Sequence, residues 1–474
     1  MKDRNSFLNL AIMVFCALVL VYFIPNSFSK FLFPLFCVLF YRSKRNALWI
    51  AFFLILIETP GGLFSGGLRE DLVRLPIYPL AAGVSISFEQ LFICTAFIKA
   101  FKKKVSYKPL RFIADYFRSL GIYFILLIGI SFFFGISFKG FSYLYQVIVN
   151  LSFFYSIYFL FADESEFVNF FKLILPLAFI AFSLQFYSMI FGHQLIALFK
   201  PAVLSTQGVF GEVETRPIEM GHILMLTFYG SLYFLFNNKK HFNQRYLLVV
   251  NVISFTSIFI TATRTWFVAF ILTYILLFLF MPKRMLKITL KNSLVLAGAI
   301  VLLLSSTLLK NQFSHAYKRI STVELMIRGD ITGGGTADRF NKKAPKVMAA
   351  FKESSIMFGA GFSDLYREKG NAHIGYQNLL LNTGLFGFFI IYWGVAKILY
   401  LCLKIKFKLA NKNPYKDSFL VILLWMTAIL IINSGTQMIG YDLPMARILV
   451  LSLFIYFFNN QVKIALNYSA EKSS

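Results

Sequence analysis

Acidic residues are scarce in this chain: 21 Asp and Glu stand against 47 Lys and Arg, and only 14% of the 474 residues carry a charge. A soluble domain of this length needs far more charged surface, so the solvent is expected to be largely lipid. The net charge of +26 would suggest nucleic acid in a soluble protein, but the basic residues sit mostly in short runs between apolar segments. That is the pattern of the positive-inside rule, and no nucleic-acid partner is expected. Cysteine is limited to Cys16, Cys37, Cys94 and Cys402, all within apolar segments. No disulfide framework can be read in exposed loops, and the four are expected to be core thiols. A Walker loop, an HExxH pair, a CxxC pair and a nucleophile elbow are all missing, which leaves nucleotide, zinc and serine-hydrolase mechanisms without local support. No two of the five histidines have metal-ligand spacing, so neither a metal nor another cofactor is expected. The chain shows no repeat and no second half resembling the first, which weakens an inverted-repeat transporter reading.

Apolar and aromatic residues abound instead, at 58% and 18%. Runs approaching the roughly 20 residues that cross a bilayer as helix fall near 7–23, 28–41, 47–62, 85–101, 119–138, 141–161, 168–192, 218–236, 246–262, 265–281, 291–309, 376–402, 418–435 and 445–460. The first follows Lys2 and Arg4 like a signal peptide, but no A-x-A cleavage site comes after it, and it is read as a retained span. With both ends cytoplasmic, the strongly basic short loops, Arg42 to Arg45, Lys102 to Arg111, Lys239 to Arg245, Lys283 to Lys291 and Lys404 to Lys416, share one side. The expected fold is an all-α polytopic membrane helix bundle of about 12–14 spans. It divides into an N-terminal bundle (1–309), an outer loop (310–375) and C-terminal spans (376–474). In the loop, Phe340, Ala344, Val347, Met348 and Phe351 recur on one helical face while Lys342, Lys343, Lys346 and Lys352 lie mostly elsewhere. This predicts an amphipathic helix, started or kinked by Pro345, that lies on the membrane surface or caps the bundle.

Three blocks carry chemistry-bearing residues. Thr261-Ala262-Thr263-Arg264-Thr265-Trp266 joins two apolar runs without a real loop, so Arg264 stands at the membrane boundary, where a charge needs a polar cavity or an anionic partner. The competing reading is an arginine snorkelling to the interface. The second block runs from Asp338-Arg339-Phe340 to Met357-Phe358-Gly359-Ala360-Gly361-Phe362, and the third from Ala372-His373-Ile374-Gly375-Tyr376 through Asn382-Thr383-Gly384-Leu385-Phe386-Gly387. In this order around one large outer loop, the blocks together resemble the bacterial O-antigen polymerase and O-antigen ligase superfamily. A looser similarity covers Gly208 to Pro217, with Arg216 between Glu214 and Pro217. Two positions depart from the family pattern: Ile374 stands where an Asn is usual, and Asn382 where an acidic residue is common.

The resemblance implies a bundle like that of the C-type glycosyltransferases, placed in the bacterial inner membrane with its site on the periplasmic face. It implies transfer of glycan from a polyprenyl-diphosphate-linked oligosaccharide donor to a sugar hydroxyl of a glycan acceptor, with membrane lipids and a chain-length regulator as further partners. Arg264, Arg339 and Arg216 would bind the diphosphate, since a planar, permanently charged guanidinium takes phosphate oxygens bidentately. His373 would be the general base, because an imidazole accepts a proton near neutral pH. A repeat-unit polymerase is the first expectation. A ligase acting on lipid A core shares the donor and the bond formed, and a lipid-linked oligosaccharide flippase stays open from a different class. Should His373 be structural, Glu212, Glu214 and His315 are the other candidate bases, although solvated loop carboxylates are the plainer reading of the two glutamates. Arg447 is read as pairing locally with Asp442.

Overall fold

A computed structural model describes residues 2–58, 63–64, 75–81, 84–102, 111–161, 164–191, 195–198, 220–237, 241–261, 264–280, 290, 294, 298, 339–370, 374–408, 417–434 and 445–471. The chain is mostly helical. In order, the elements are α1 (Lys2–Tyr22), α2 (Asn26–Arg42), α3 (Asn46–Ile57), β1 (Ile77–Ala81), β2 (Val84–Ser87), α4 (Phe88–Lys102), α5 (Arg111–Phe133), α6 (Phe138–Leu160), α7 (Glu164–Ile174) and α8 (Leu177–Phe191). Then follow α9 (Gly221–Phe236), α10 (Gln244–Ile260), α11 (Arg264–Phe280), α12 (Ala344–Glu353), α13 (Asp364–Lys369), α14 (Gly375–Lys408), α15 (Ser418–Ser434) and α16 (Met445–Glu471). Four stretches are long and apolar enough to cross a membrane: Asn5–Tyr22, Arg111–Phe133, Ser165–Ser188 and Gly375–Phe407. Several shorter apolar helices, among them Asn46–Ile57 and Gln244–Ile260, accompany them. Of the expected span at 291–309 only Leu294 and Gly298 are described, and the loop from 310 to 338 lies outside the described residues.

The helical class expected from the sequence is accompanied by one small antiparallel hairpin among the described residues, in which Ile77 pairs with Ser87 and Tyr78 with Ile86, and a register shift falls between Pro79 and Ala81. Proline lacks the donor a regular ladder needs, so it is tolerated at this irregular edge. The Tyr78 hydroxyl donates to the Lys30 carbonyl, and burial pushes its pKa up to about 12, so it remains a donor over the physiological range. Of the four cysteines, Cys37 and Cys402 are buried as core thiols, but Cys16 is exposed, because α1 packs at the edge of the bundle.

The helix order can be read from contacts at the helix ends. At one end, Asn46 donates from the start of α3 to the Leu160 carbonyl closing α6, and Glu166 near the start of α7 accepts from Ala47 N–H. Lys99 in the last turn of α4 donates to the carbonyls of Phe40 and Ser43 at the close of α2. Lys406 near the end of α14 pairs with Asp417 before α15. Arg42, Arg45, Arg111, Arg245, Lys404 and Lys406 all belong to helix ends on this side, which is therefore the basic end. At the other end, Tyr22 closes α1 with a bond to the Leu63 carbonyl, Glu58 after α3 meets His222 opening α9, and Ser137 before α6 meets Asp364 opening α13. Tyr376 at the start of α14 reaches the Leu430 carbonyl near the close of α15. The basic helix ends belong to four of the five basic loops expected on one side; the fifth, Lys283 to Lys291, lies outside the described residues but for Leu290.

α3 lies wholly inside the bundle. All twelve of its residues are buried, and a helix apolar on every side belongs inside a bundle. The centre also holds polar groups that satisfy one another. Tyr274 donates to Asn251 Oδ1 at 2.5 Å, Asn251 Nδ2 donates to Ser231 Oγ and the Phe228 carbonyl, and the Thr227 and Ser254 hydroxyls lie 2.7 Å apart. These bonds tie α9, α10 and α11 together where apolar burial gives little preference for one neighbour over another.

Candidate functional site

The amphipathic segment of the loop folds as its spacing suggests. Arg339–Lys343 forms a π-helical turn leading into α12, and Pro345 occupies the first turn, where its missing N–H costs nothing. Ala344, Val347, Ala350 and Phe351 are buried, whereas Lys342, Lys346 and Lys352 are exposed. The apolar face packs on α14 and on Ala360, Tyr366, Ile374 and Leu381, so the helix caps the bundle.

The second and third sequence blocks meet through their backbones. α14 is interrupted at Gly384, whose φ of 62° and ψ of −175° take it out of helical geometry. Four groups that an unbroken helix would pair with each other, the carbonyls of Leu381 and Asn382 and the N–H groups of Leu385 and Phe386, bond to the Gly-rich segment instead. Ala360 N–H donates to Leu381 O at 2.8 Å, and Gly361 N–H to Asn382 O at 3.0 Å. In return, Leu385 N–H donates to Ile356 O at 3.0 Å, and Phe386 N–H to Met357 O at 2.9 Å. The exchange works only with glycine on both sides of the junction. A Cβ on Gly384 would collide with the Met357 carbonyl, and one on Gly359, itself at φ 74°, would sit 2.5 Å from Gly384 N.

Side chains lock this junction to α5. Ser131 Oγ accepts from Phe362 N–H at 2.6 Å, Tyr123 donates its hydroxyl to the Thr383 carbonyl, and Asp364 accepts from both Ser137 N–H and its hydroxyl. Asn382 Nδ2 donates to Gly361 O at 2.7 Å, and Asn378 Nδ2 to the Tyr366 hydroxyl at 3.0 Å. Asn382 therefore has a clear structural task at the position where the resembling family commonly carries an acid.

His373 lies outside the described residues, between two placed neighbours: Gly370, which caps α13 through Tyr366 O, and buried Ile374, which precedes α14. Arg264 is the first residue of α11 and Arg339 the first of the π-turn; the backbones of both are described and their side chains are not. Arg216, Glu212, Glu214, His315 and Asp442 lie outside the described residues, and of Arg447 only the place in α16 is given. The starts of α11 and α14 both belong to the end opposite the basic one. Both helices pack against α15.

Beneath the junction, α5, α6, α14, α15 and α16 line a partly open apolar pocket of about 390 Å³. Its wall runs from Tyr116, Gly394 and Ile398 through Leu151 and Phe454 to Leu127, Phe362 and Thr383. The last two belong to the joined blocks, so the cavity reaches up to the broken part of α14.

One further pairing has no local signal in the sequence. Glu58, fully buried after α3, accepts from the His222 backbone N–H at 2.8 Å and stands 3.0 Å from His222 Nδ1. The partners are 164 residues apart, and no local motif joins them. Among the described residues, no group of three His, Cys, Asp or Glu side chains is arranged to hold a metal ion. Compared with known families and with curated proteins, the chain matches no family model and no curated sequence.

Proposed function

We propose that the chain is a polytopic enzyme of the bacterial inner membrane that polymerises lipid-linked glycan repeat units at the periplasmic face. The observation that carries this reading is the apolar cavity ending at the junction of the second and third blocks. A polyprenyl-diphosphate sugar needs an apolar channel for its tail that leads to a polar site for its head, and the cavity below Phe362 and Thr383 has that relation to the loop. The collection of basic helix ends on the opposite side supports the orientation.

In the reaction, the acceptor hydroxyl oxygen bonds to the donor's anomeric carbon as the bond from that carbon to the diphosphate oxygen breaks. The lipid diphosphate leaves with the electron pair, and His373 takes the hydroxyl proton. Arg264, Arg339 and Arg216 stabilise the negative charge growing on the diphosphate, which a guanidinium does through two parallel hydrogen bonds. The ligase reading uses the same donor site and differs only in the acceptor. In a purified assay, Arg264→Ala and Arg339→Ala should each lower the rate by about 10²- to 10³-fold, the usual effect of losing one charge-stabilising donor. Lysine should rescue poorly, since a point charge does not reproduce the bidentate fork. Full activity of a well-folded Arg264→Ala protein would make Arg264 an interfacial anchor.

A further inference from the structure

His222 opens α9 immediately after Met220 and Gly221, and Met220 is held in the left-handed region at φ 50° and ψ 45°. Among the described residues it is the one non-glycine residue with positive φ, a conformation that persists only where its surroundings enforce it. Trp266, two residues into α11 from Arg264, closes over Gly221 and meets the His222 ring edge-on at 6.0 Å and 64°. The imidazole is thus fixed from the backbone, from Glu58 and from Trp266.

The Glu58 carboxylate decides what that ring offers. One oxygen receives the His222 backbone N–H and faces Nδ1, so the tautomer with its proton on Nδ1 satisfies both contacts. Nε2 is then a lone-pair acceptor. It is buried, in a side chain only 3% exposed, and among the described residues nothing hydrogen-bonds to it. A buried acceptor left unpaired costs free energy, and a link between α3 and α9 alone would not require one. Asparagine would serve that link equally well, because its amide reaches Glu58 from the position of Nδ1.

We propose that the Glu58–His222 pair is a hydroxyl-binding subsite for glycan, in which Nε2 accepts the O–H of a sugar beside the start of α11. This rests on the reading of the chain as a glycan-transferring protein. The location agrees with it, since Glu58, His222 and Trp266 occupy the end of the bundle that carries the joined blocks. The chemistry is a hydroxyl donor, because in the tautomer with its proton on Nδ1 the ring presents only a lone pair at Nε2. In this role His222 is a positioning residue, and proton removal stays with His373.

The test uses the full-length chain in nanodiscs, with histidine labelled at 13Cε1, titrated with lipid-free oligosaccharide released from the surface polysaccharide of the producing cell. The His222 resonance should shift with saturation, and His222→Asn, which keeps a donor toward Glu58 and removes Nε2 along with the ring edge that meets Trp266, should bind about ten-fold more weakly, the effect of one lost hydrogen bond. An unmoved His222 signal, absent binding, or unchanged affinity in His222→Asn overturns the subsite. Transfer from the lipid-diphosphate donor is scored in the same preparation. Transfer without a His222 shift leaves the proposed function standing and removes the subsite, whereas a shift without transfer keeps the subsite and removes the transferase reading.

Discussion

Replacing His373 with alanine should lower polymer formation by about 10²- to 10⁴-fold, the range general-base assistance supplies. The residue lies outside the described residues, between Gly370 and Ile374, and the proposed reaction has it take the proton of the acceptor hydroxyl. The variant should insert, purify and bind donor normally, because its neighbours are held by contacts that do not involve it: Gly370 by Tyr366 O, Ile374 within the α12 cluster, and Asn378 by the Tyr366 hydroxyl. Turnover measured on purified protein from pH 6 to 8 checks this. A near wild-type rate across that interval would make His373 structural and move the search to Glu212, Glu214 and His315.

Gly384→Ala should also abolish activity, by a different route. The new Cβ would have to occupy the place of the Met357 carbonyl, a backbone atom fixed by its bond from Phe386 N–H. Holding a side-chain-bearing residue at positive φ adds roughly 1–3 kcal/mol of strain. If α14 instead became continuous, Leu381 and Asn382 would recover their helical partners, and the N–H groups of Ala360 and Gly361 would lose theirs. The loop carrying the second block would come away from α14. The variant should show a lowered unfolding temperature and faster proteolysis between residues 354 and 363, with loss of activity. Wild-type stability and activity would mean that the junction is not needed.

Much of this architecture was legible in the sequence, for reasons that can be given residue by residue. The faces of α12 followed from Phe340 to Phe351 because a 3.6-residue period is local information, and Pro345 marked the first turn. The segregation of basic helix ends followed from loop charge. Helix limits did not follow: α5 begins at Arg111, well before the apolar run at 119, with a charged first part in which Asp115 lies near Arg111 and Arg118 on the helix surface. Gly384 and Gly387 could be read as room for close approach, but the break in α14 depends on donors from residues 360 and 361, which no window around 384 contains. The hairpin at 77–87 and the Glu58–His222 pair escaped for the same reason, since their partners are chosen in three dimensions. Of the candidate site, the alignment of the second and third blocks could be anticipated only as proximity along one loop, whereas the exchange of helical hydrogen bonds between them could not.

The most direct measurement is reconstitution of the wild-type chain in proteoliposomes with a polyprenyl-diphosphate-linked repeat unit, in the presence of a chelator and without any sugar nucleotide. The account predicts a ladder of glycan lengths that grows while free polyprenyl diphosphate accumulates in step with each new glycosidic bond. Movement of intact lipid-linked repeat units across the vesicle membrane with no new bond formed, or no change in the glycan at all, would contradict it.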